Sequence, residues 1–188
     1  MDYRSPWLDD ELDLFRDAAK RFIEQEIVPH DDRWREQHHV DRDLWTKAGE
    51  VGLLCTDIPA EYGGVGGDAR HEAVVAEEMG RHGISSFGHV VHSILAHYVL
   101  NYGSEAQKHD WLPRLASGEL VGAIAMTEPG AGSDLQAVKT RAVRDGDHYV
   151  LNGSKTFISN GLHAGLVGVV AKTDATQGAR GISIIMVE

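Results

Sequence analysis

Apolar residues recur at helical spacing through the first part of the chain. Leu8, Leu12, Phe15, Ala19, Phe22, Ile23 and Ile27 fall three or four residues apart or side by side, the pattern of a helix with one buried face. Ser5 is positioned to cap it, Pro6 suits a first helical position, and Asp9, Asp10 and Glu11 suit the positive end of the dipole. Pro29 is expected to end this run. A second helix is predicted from Asp41, with Leu44, Trp45, Ala48 and Val51 on one face and Gly52 as its stop. Asp68 opens a third that runs to about Met79, and Phe87, Val91, Ile94 and Tyr98 mark a fourth that ends at 101–103. Ser104 and Gln107 form a capping box for a fifth, which Pro113 is expected to kink. Between the second and third helices, the glycine-rich stretch 63–67 reads as a flexible turn.

The period changes near residue 120. The run VGAIAMT has strand length, Val138 to Arg144 alternates, Asp145–Gly146 is a hairpin signal, and HYVL follows it. Asn152–Gly153 reads as a second hairpin turn, with KTFIS as the strand after it; residues 166–171 and 182–187 are two more strand-like runs. The expected fold is α+β in two domains. A helical domain spans 1–119, and an antiparallel sandwich or barrel spans 120–188 and ends on a strand, so that it reads as incomplete.

Composition narrows the partners. The chain has 188 residues and a formal net charge of −11, which argues against a nucleic-acid or anionic-membrane surface, both of which need clustered Lys and Arg. A bound phosphate remains compatible, because backbone N–H groups can hold one without net positive charge. With a single cysteine, Cys55, no internal disulfide can form. The N-terminal segment MDYRSPWLDDELDLF fits neither a signal nor a transit peptide, and no stretch reaches the length of a membrane span, so a cytoplasmic setting is expected.

Two segments carry candidate chemistry. MTEPGAGSD at 126–134 combines the turn pair Pro129–Gly130, two glycines expected to allow positive φ and close ligand approach, and the hydroxyls of Thr127 and Ser133. On composition alone, an ordinary glycine-rich loop explains it as well. It is not a dinucleotide-binding fingerprint, because Leu135 stands where the third glycine belongs and a strand-like pattern follows. Nor does Gly153–Ser154–Lys155–Thr156 make a Walker loop, for lack of the upstream glycine. The segment GSKTFISN at 153–160 could set an aromatic face, an apolar side chain and a hydroxyl along one ligand, or could be a plain buried strand. His89, His92 and His97 share a predicted helix, but no cysteine or acidic ligand completes a metal set, and no metal is expected.

Taken in series, a helical segment, then AMTEPGAGSDL, then LNGSKTFISNG resembles the N-terminal and middle domains of the acyl-CoA dehydrogenase family. EIVPH, AGEVGLL and EYGGVGG extend the resemblance over the whole chain, and it is strongest to the long-chain members. The resemblance implies FAD as cofactor. Ile124, Ala125, Met126, Thr127, Gly132 and Ser133 would line it, with main-chain groups near Met126 and Thr127 at its pyrimidine edge. Ser133 would reach the pyrophosphate and border the acyl-CoA entrance. Phe157 would lie against the ring system, and Ile158 and Ser159 would meet its C4 carbonyl and N5 edge. The family's usual residues at 157 and 159 are Trp and Thr; Phe157 keeps the aromatic face and Ser159 the hydroxyl.

The implied reaction is oxidation of a medium- or long-chain acyl-CoA to the 2,3-enoyl-CoA, as in fatty acid β-oxidation, with electrons passing to an electron-transferring flavoprotein. A carboxylate takes the α-proton as hydride leaves the β-carbon. In the family that carboxylate, a glutamate, lies on a C-terminal helical bundle that also builds the homo-oligomer, a tetramer or dimer. No segment before Glu188 matches that bundle. No catalytic residue is therefore assigned, and the 188-residue chain is expected to be inactive alone. The alternatives are an oxidase- or monooxygenase-like flavoenzyme of the same fold, or a non-catalytic truncated remnant.

Overall fold

The computed structural model describes residues 5–188; residues 1–4, where the N-terminal segment read above begins, lie outside the described residues. The chain divides into two compact units at Val121/Gly122, and each is described by itself.

Among the described residues the first unit holds six α-helices: α1 (Asp10–Phe22), α2 (Asp31–Gln37), α3 (Asp43–Glu50), α4 (Ala69–Arg81), α5 (His89–Tyr102) and α6 (Glu105–Ala116). The cap of α1 is Asp9, not Ser5. Asp9 has extended backbone and its carboxylate accepts from the Leu12 amide, whereas the Ser5 carbonyl closes a turn with the Leu8 amide. Nor does Pro29 stop the chain's helical course. A π-turn at Ile23–Ile27 and a 3₁₀ turn at Val28–His30 precede α2, and Pro29 sits in the first positions of that turn, where no N–H is needed. Both predicted capping sites on later helices form: Asp68 with His71 at α4, and Ser104 with Gln107 at α6.

Leu12, Ile23, Leu44, Trp45 and Leu54 are among the fully buried side chains at the centre of this unit. Arg16 ties α1 to α4 through Glu77 at 2.7 Å and Glu78 at 3.3 Å. The 63–67 loop is packed rather than flexible, since a Cβ on Gly64 would lie 2.0 Å from the Ile58 carbonyl oxygen.

The second unit is a five-stranded sheet: β1 (Gly122–Ala125), β2 (Arg141–Asp145), β3 (His148–Asn152), β4 (Leu166–Lys172) and β5 (Ile182–Val187). The expected succession of helices and then strands is observed. The pairing, however, is mixed. β2–β3 and β4–β5 are antiparallel, but β1 runs parallel to β4, and β2 meets β4 in parallel at Arg141↔Lys172. β4 is the centre and pairs with β1, β2 and β5, which is why its LVGVVAK run is apolar on both faces. The Asp145–Gly146 hairpin forms as predicted, with Gly146 at φ +62°.

The Asn152–Gly153 hairpin does not form, and KTFIS is not a strand. The Thr156 amide is bound to the Thr127 carbonyl, and Phe157 and Asn160 both have left-handed backbone, at φ +56° and +65°. Neither torsion can sit in an extended ladder.

Candidate functional site

β1 delivers the 126–134 segment. Ala125 is buried, and Ile124, opposite Gly168 of β4, is half-buried. After the strand, Glu128 and Ala131 exchange both backbone hydrogen bonds, at 2.9 and 3.1 Å. They close a tight turn with Pro129 and Gly130 at its tip. Neither Gly130 nor Gly132 takes the positive φ that was expected. A Cβ on either would meet nothing within 4 Å, so the chain's own packing does not demand glycine there. A surface of this kind lets an external group approach the backbone closely. Gly132 and Ser133 are exposed.

The 153–160 segment lies against the first. The Thr156 amide donates to the Thr127 carbonyl at 2.9 Å, and Lys155 Nζ donates to the Met126 carbonyl at 2.9 Å and to Glu128 at 2.9 Å. Gly153 makes this approach possible, because a Cβ there would lie 2.2 Å from Thr140 Oγ1 and 2.7 Å from Thr140 Cα.

Glu128 is the hub of this arrangement. It is 7% exposed and accepts from the Lys139 amide at 2.6 Å, the Thr140 amide at 3.0 Å, the Thr140 hydroxyl at 2.6 Å and Lys155 at 2.9 Å. Burial alone would push its carboxyl up. The Thr140 hydroxyl, the Lys139 amide, Lys155 and the Thr140 amide outweigh that and hold it down at about 2. Glu128 is therefore an ionised structural acceptor whose lone pairs are used, and so a poor candidate for taking a proton from a substrate. The sequence pattern alone points to no role for Glu128 or Thr140, offers Lys155 only within a Walker pattern that fails, and suggests a hairpin turn at Gly153. The available signal was a Glu and a Lys, one inside each candidate segment, of opposite charge.

Phe157 is the most unusual residue of the site. It is 91% exposed, and its backbone sits at φ +56°. For an aromatic residue that torsion costs on the order of 1–2 kcal/mol, and among the described residues nothing covers the ring to offset it. Strain of this kind concentrates at binding sites. Ile158 beside it is half-buried and Ser159 is exposed.

The site thus offers an uncovered aromatic face, exposed hydroxyls at Ser133 and Ser159, and open backbone at Gly130 and Gly132. Such a set fits a flat ring system carrying a phosphate tail. The residues present are therefore compatible with a flavin nucleotide.

The histidines of α5 are engaged elsewhere. His92 Nε2 meets the Leu115 carbonyl at 3.0 Å, His97 Nε2 meets Asp57 at 3.0 Å, and buried His89 is beside Phe87. Among the described residues no three potential metal ligands gather. Among them, too, no helix is long and apolar enough to cross a membrane.

Comparison with known proteins covers nearly all of both units. The family model for the acyl-CoA dehydrogenase N-terminal domain matches residues 9–119, and that for the middle domain matches 123–188. The long-chain specific acyl-CoA dehydrogenase of Sus scrofa mitochondria is 46% identical over 181 residues, 95% of this chain and 42% of that protein. An acyl-CoA dehydrogenase crystal structure from Geobacillus kaustophilus superposes with a TM-score of 0.93 at 45% identity, covering 98% of this chain and 50% of that one. A Mycobacterium smegmatis glutaryl-CoA dehydrogenase, solved in complex with FADH2, gives a TM-score of 0.85 at 33% identity over 96% of this chain and 46% of its own. The chain spans about two fifths of the length of the mammalian relatives it matches.

Proposed function

This chain belongs to the acyl-CoA dehydrogenase family, and on that premise we propose that its sheet unit forms one side of an FAD site in an acyl-CoA dehydrogenase. The enzyme would oxidise an acyl-CoA of medium or long chain to the 2,3-enoyl-CoA and pass electrons to an electron-transferring flavoprotein. FAD, when bound, would supply the two-electron acceptor. This chain's residues would bind and orient it: Phe157 against the rings, Ile158 and Ser159 beside them, the Met126 and Thr127 main chain at the pyrimidine edge, and Gly132 and Ser133 toward the pyrophosphate. Ser133 would also border the thioester's entrance.

The observation that carries this reading is Phe157, a strained and uncovered aromatic next to an open glycine turn. The preference for a longer acyl chain rests on the 46% identity to a long-chain specific relative. On helix α5, Val90 and Ile94 stay 48% and 41% exposed, which suits an apolar neighbour.

The test is titration of FAD into the purified 188-residue chain, followed by quenching and band shifts of the flavin spectrum. Weak one-to-one binding is expected, reduced by Phe157→Ala. An unperturbed flavin spectrum at millimolar protein would overturn the assignment. Acyl-CoA with a dye acceptor should give no turnover with this chain, because Glu128 is not free to act as base. Measurable turnover would show that reasoning to be wrong.

A further inference from the structure

The two peptide planes that flank Thr127 are both held by the 153–160 segment. The carbonyl of the 126–127 peptide accepts from Lys155 Nζ at 2.9 Å. The carbonyl of the 127–128 peptide accepts from the Thr156 amide at 2.9 Å, and the N–H of that same plane donates to the Ala131 carbonyl at 2.9 Å. Of the four polar groups in these planes, one is left: the Thr127 N–H has no protein acceptor among the described residues. Thr127 is half-buried as a residue, and an amide with no protein acceptor is open to a ligand or to water.

Its direction follows from peptide geometry. All peptide bonds described are trans, and in a trans peptide the carbonyl and the N–H point to opposite sides. Since the Met126 carbonyl is turned to Lys155, the Thr127 N–H is turned away from it. Lys155 is itself fixed: its side chain is 11% exposed and paired with Glu128, which is anchored by three further donors. A cation on one end of an amide also polarises it and strengthens the hydrogen bond its N–H can donate.

We propose that Lys155, held by Glu128, is a positioning residue that aims and polarises the Thr127 N–H as a donor to the electron-rich pyrimidine edge of the bound flavin. The inference rests on the flavin reading above and deepens it. Negative charge that builds at that edge on reduction is stabilised by a donor already in place. Glu128 acts only through Lys155.

The variants are Lys155→Met, Glu128→Gln and the double variant, which removes both charges and leaves neither partner uncompensated. The first measurement needs no flavin. Backbone hydrogen exchange in Lys155→Met should rise in 126–134 and 153–160 together, with β2 and β4 little changed. Faster exchange in 153–160 alone would overturn the clamp.

The second measurement is the midpoint potential of FAD bound to the wild-type and variant chains, with affinity read alongside. Lys155→Met and the double variant should lower the potential, and affinity should fall about tenfold, the worth of one charge-assisted hydrogen bond. Glu128→Gln loosens Lys155 but leaves its ammonium able to reach the Met126 carbonyl, so it should destabilise the unit yet lower the potential less than Lys155→Met does. If potential follows stability across the three variants, the role is structural only and the proposal fails. If wild type leaves the flavin spectrum unperturbed, the flavin assignment falls and takes the donor role with it, while the exchange result still decides the clamp.

Discussion

Glu128→Gln should cost stability at neutral pH and almost none in strong acid. The Glu128 carboxyl has an ordinary value of 4.5 and is held down at about 2 in the folded sheet unit. Each pH unit of such a difference is worth about 1.4 kcal/mol, so the ionised carboxylate contributes about 3 kcal/mol at pH 7. The group is almost wholly buried, so solvent screening takes little from this figure. The sign follows from proton uptake. Between pH 4.5 and 2 the unfolded chain binds the proton that the folded chain refuses, so stability is complete above 4.5 and is lost as pH falls through 2. The glutamine variant has no such proton to bind. Its deficit relative to wild type should be about 3 kcal/mol at pH 7 and should close as pH falls toward 2.

The measurement is urea unfolding of the β4 residues 166–172, followed by their amide NMR peaks at several pH values. All four tryptophans lie between residues 7 and 111, so their fluorescence reports the helical unit and serves as the control. A gap that stays constant from pH 7 to pH 2 would refute the reasoning. So would an equal shift in the tryptophan curve.

Other consequences can be measured in the same chain. Gly153→Ala places a methyl 2.2 Å from Thr140 Oγ1 and should destabilise the sheet unit by about 1–3 kcal/mol; a loss near zero in urea would show that the contact relaxes freely. Phe157→Gly removes a ring that packs on nothing and relieves the φ +56° backbone, so stability should change by less than about 1 kcal/mol while FAD affinity falls. A large loss of stability would mean that the ring is packed after all. His92 is pushed down from 6.5 to about 4 by burial, so below pH 6.5 the unfolded chain takes up a proton that the folded chain does not. The helical unit should therefore weaken as pH falls from 6.5 to 4, by up to about 3 kcal/mol, and His92→Gln should remove that part of the slope in tryptophan-monitored melts.

Local signals served best where one residue type has one physical use. Asp68 and Ser104 cap helices because their side chains can reach the first free amides, and Asp145–Gly146 turns a hairpin because Gly146 takes φ +62°. The same rules misled where a local preference had a competitor. Ser5 is as good a cap as Asp9 in isolation, but the Ser5 carbonyl closes a turn with the Leu8 amide, Trp7 and Leu8 pack into the core, and Asp9 is left to cap α1. Asn152–Gly153 looks like a hairpin turn, yet its glycine serves close approach to Thr140 rather than a reversed torsion. The parallel pairing of β1 with β4 joins residues more than forty apart, and no hydrophobic pattern encodes that partner choice.

Order and period along the chain were enough to establish a helical half followed by a stranded half, and two motifs in series were enough to establish the family. The first follows from short-range chemistry, in which helical spacing, caps and turn residues act within a few positions, while the second rests on resemblance to known sequences. The working geometry came from long-range packing. It made KTFIS a strained loop rather than a strand, left Phe157 uncovered, and drew Lys155 to Glu128 and Met126 across more than twenty residues. A buried ion pair forms only where folding removes water from both partners at one point, and the spacing of a glutamate and a lysine in a sequence carries no record of that.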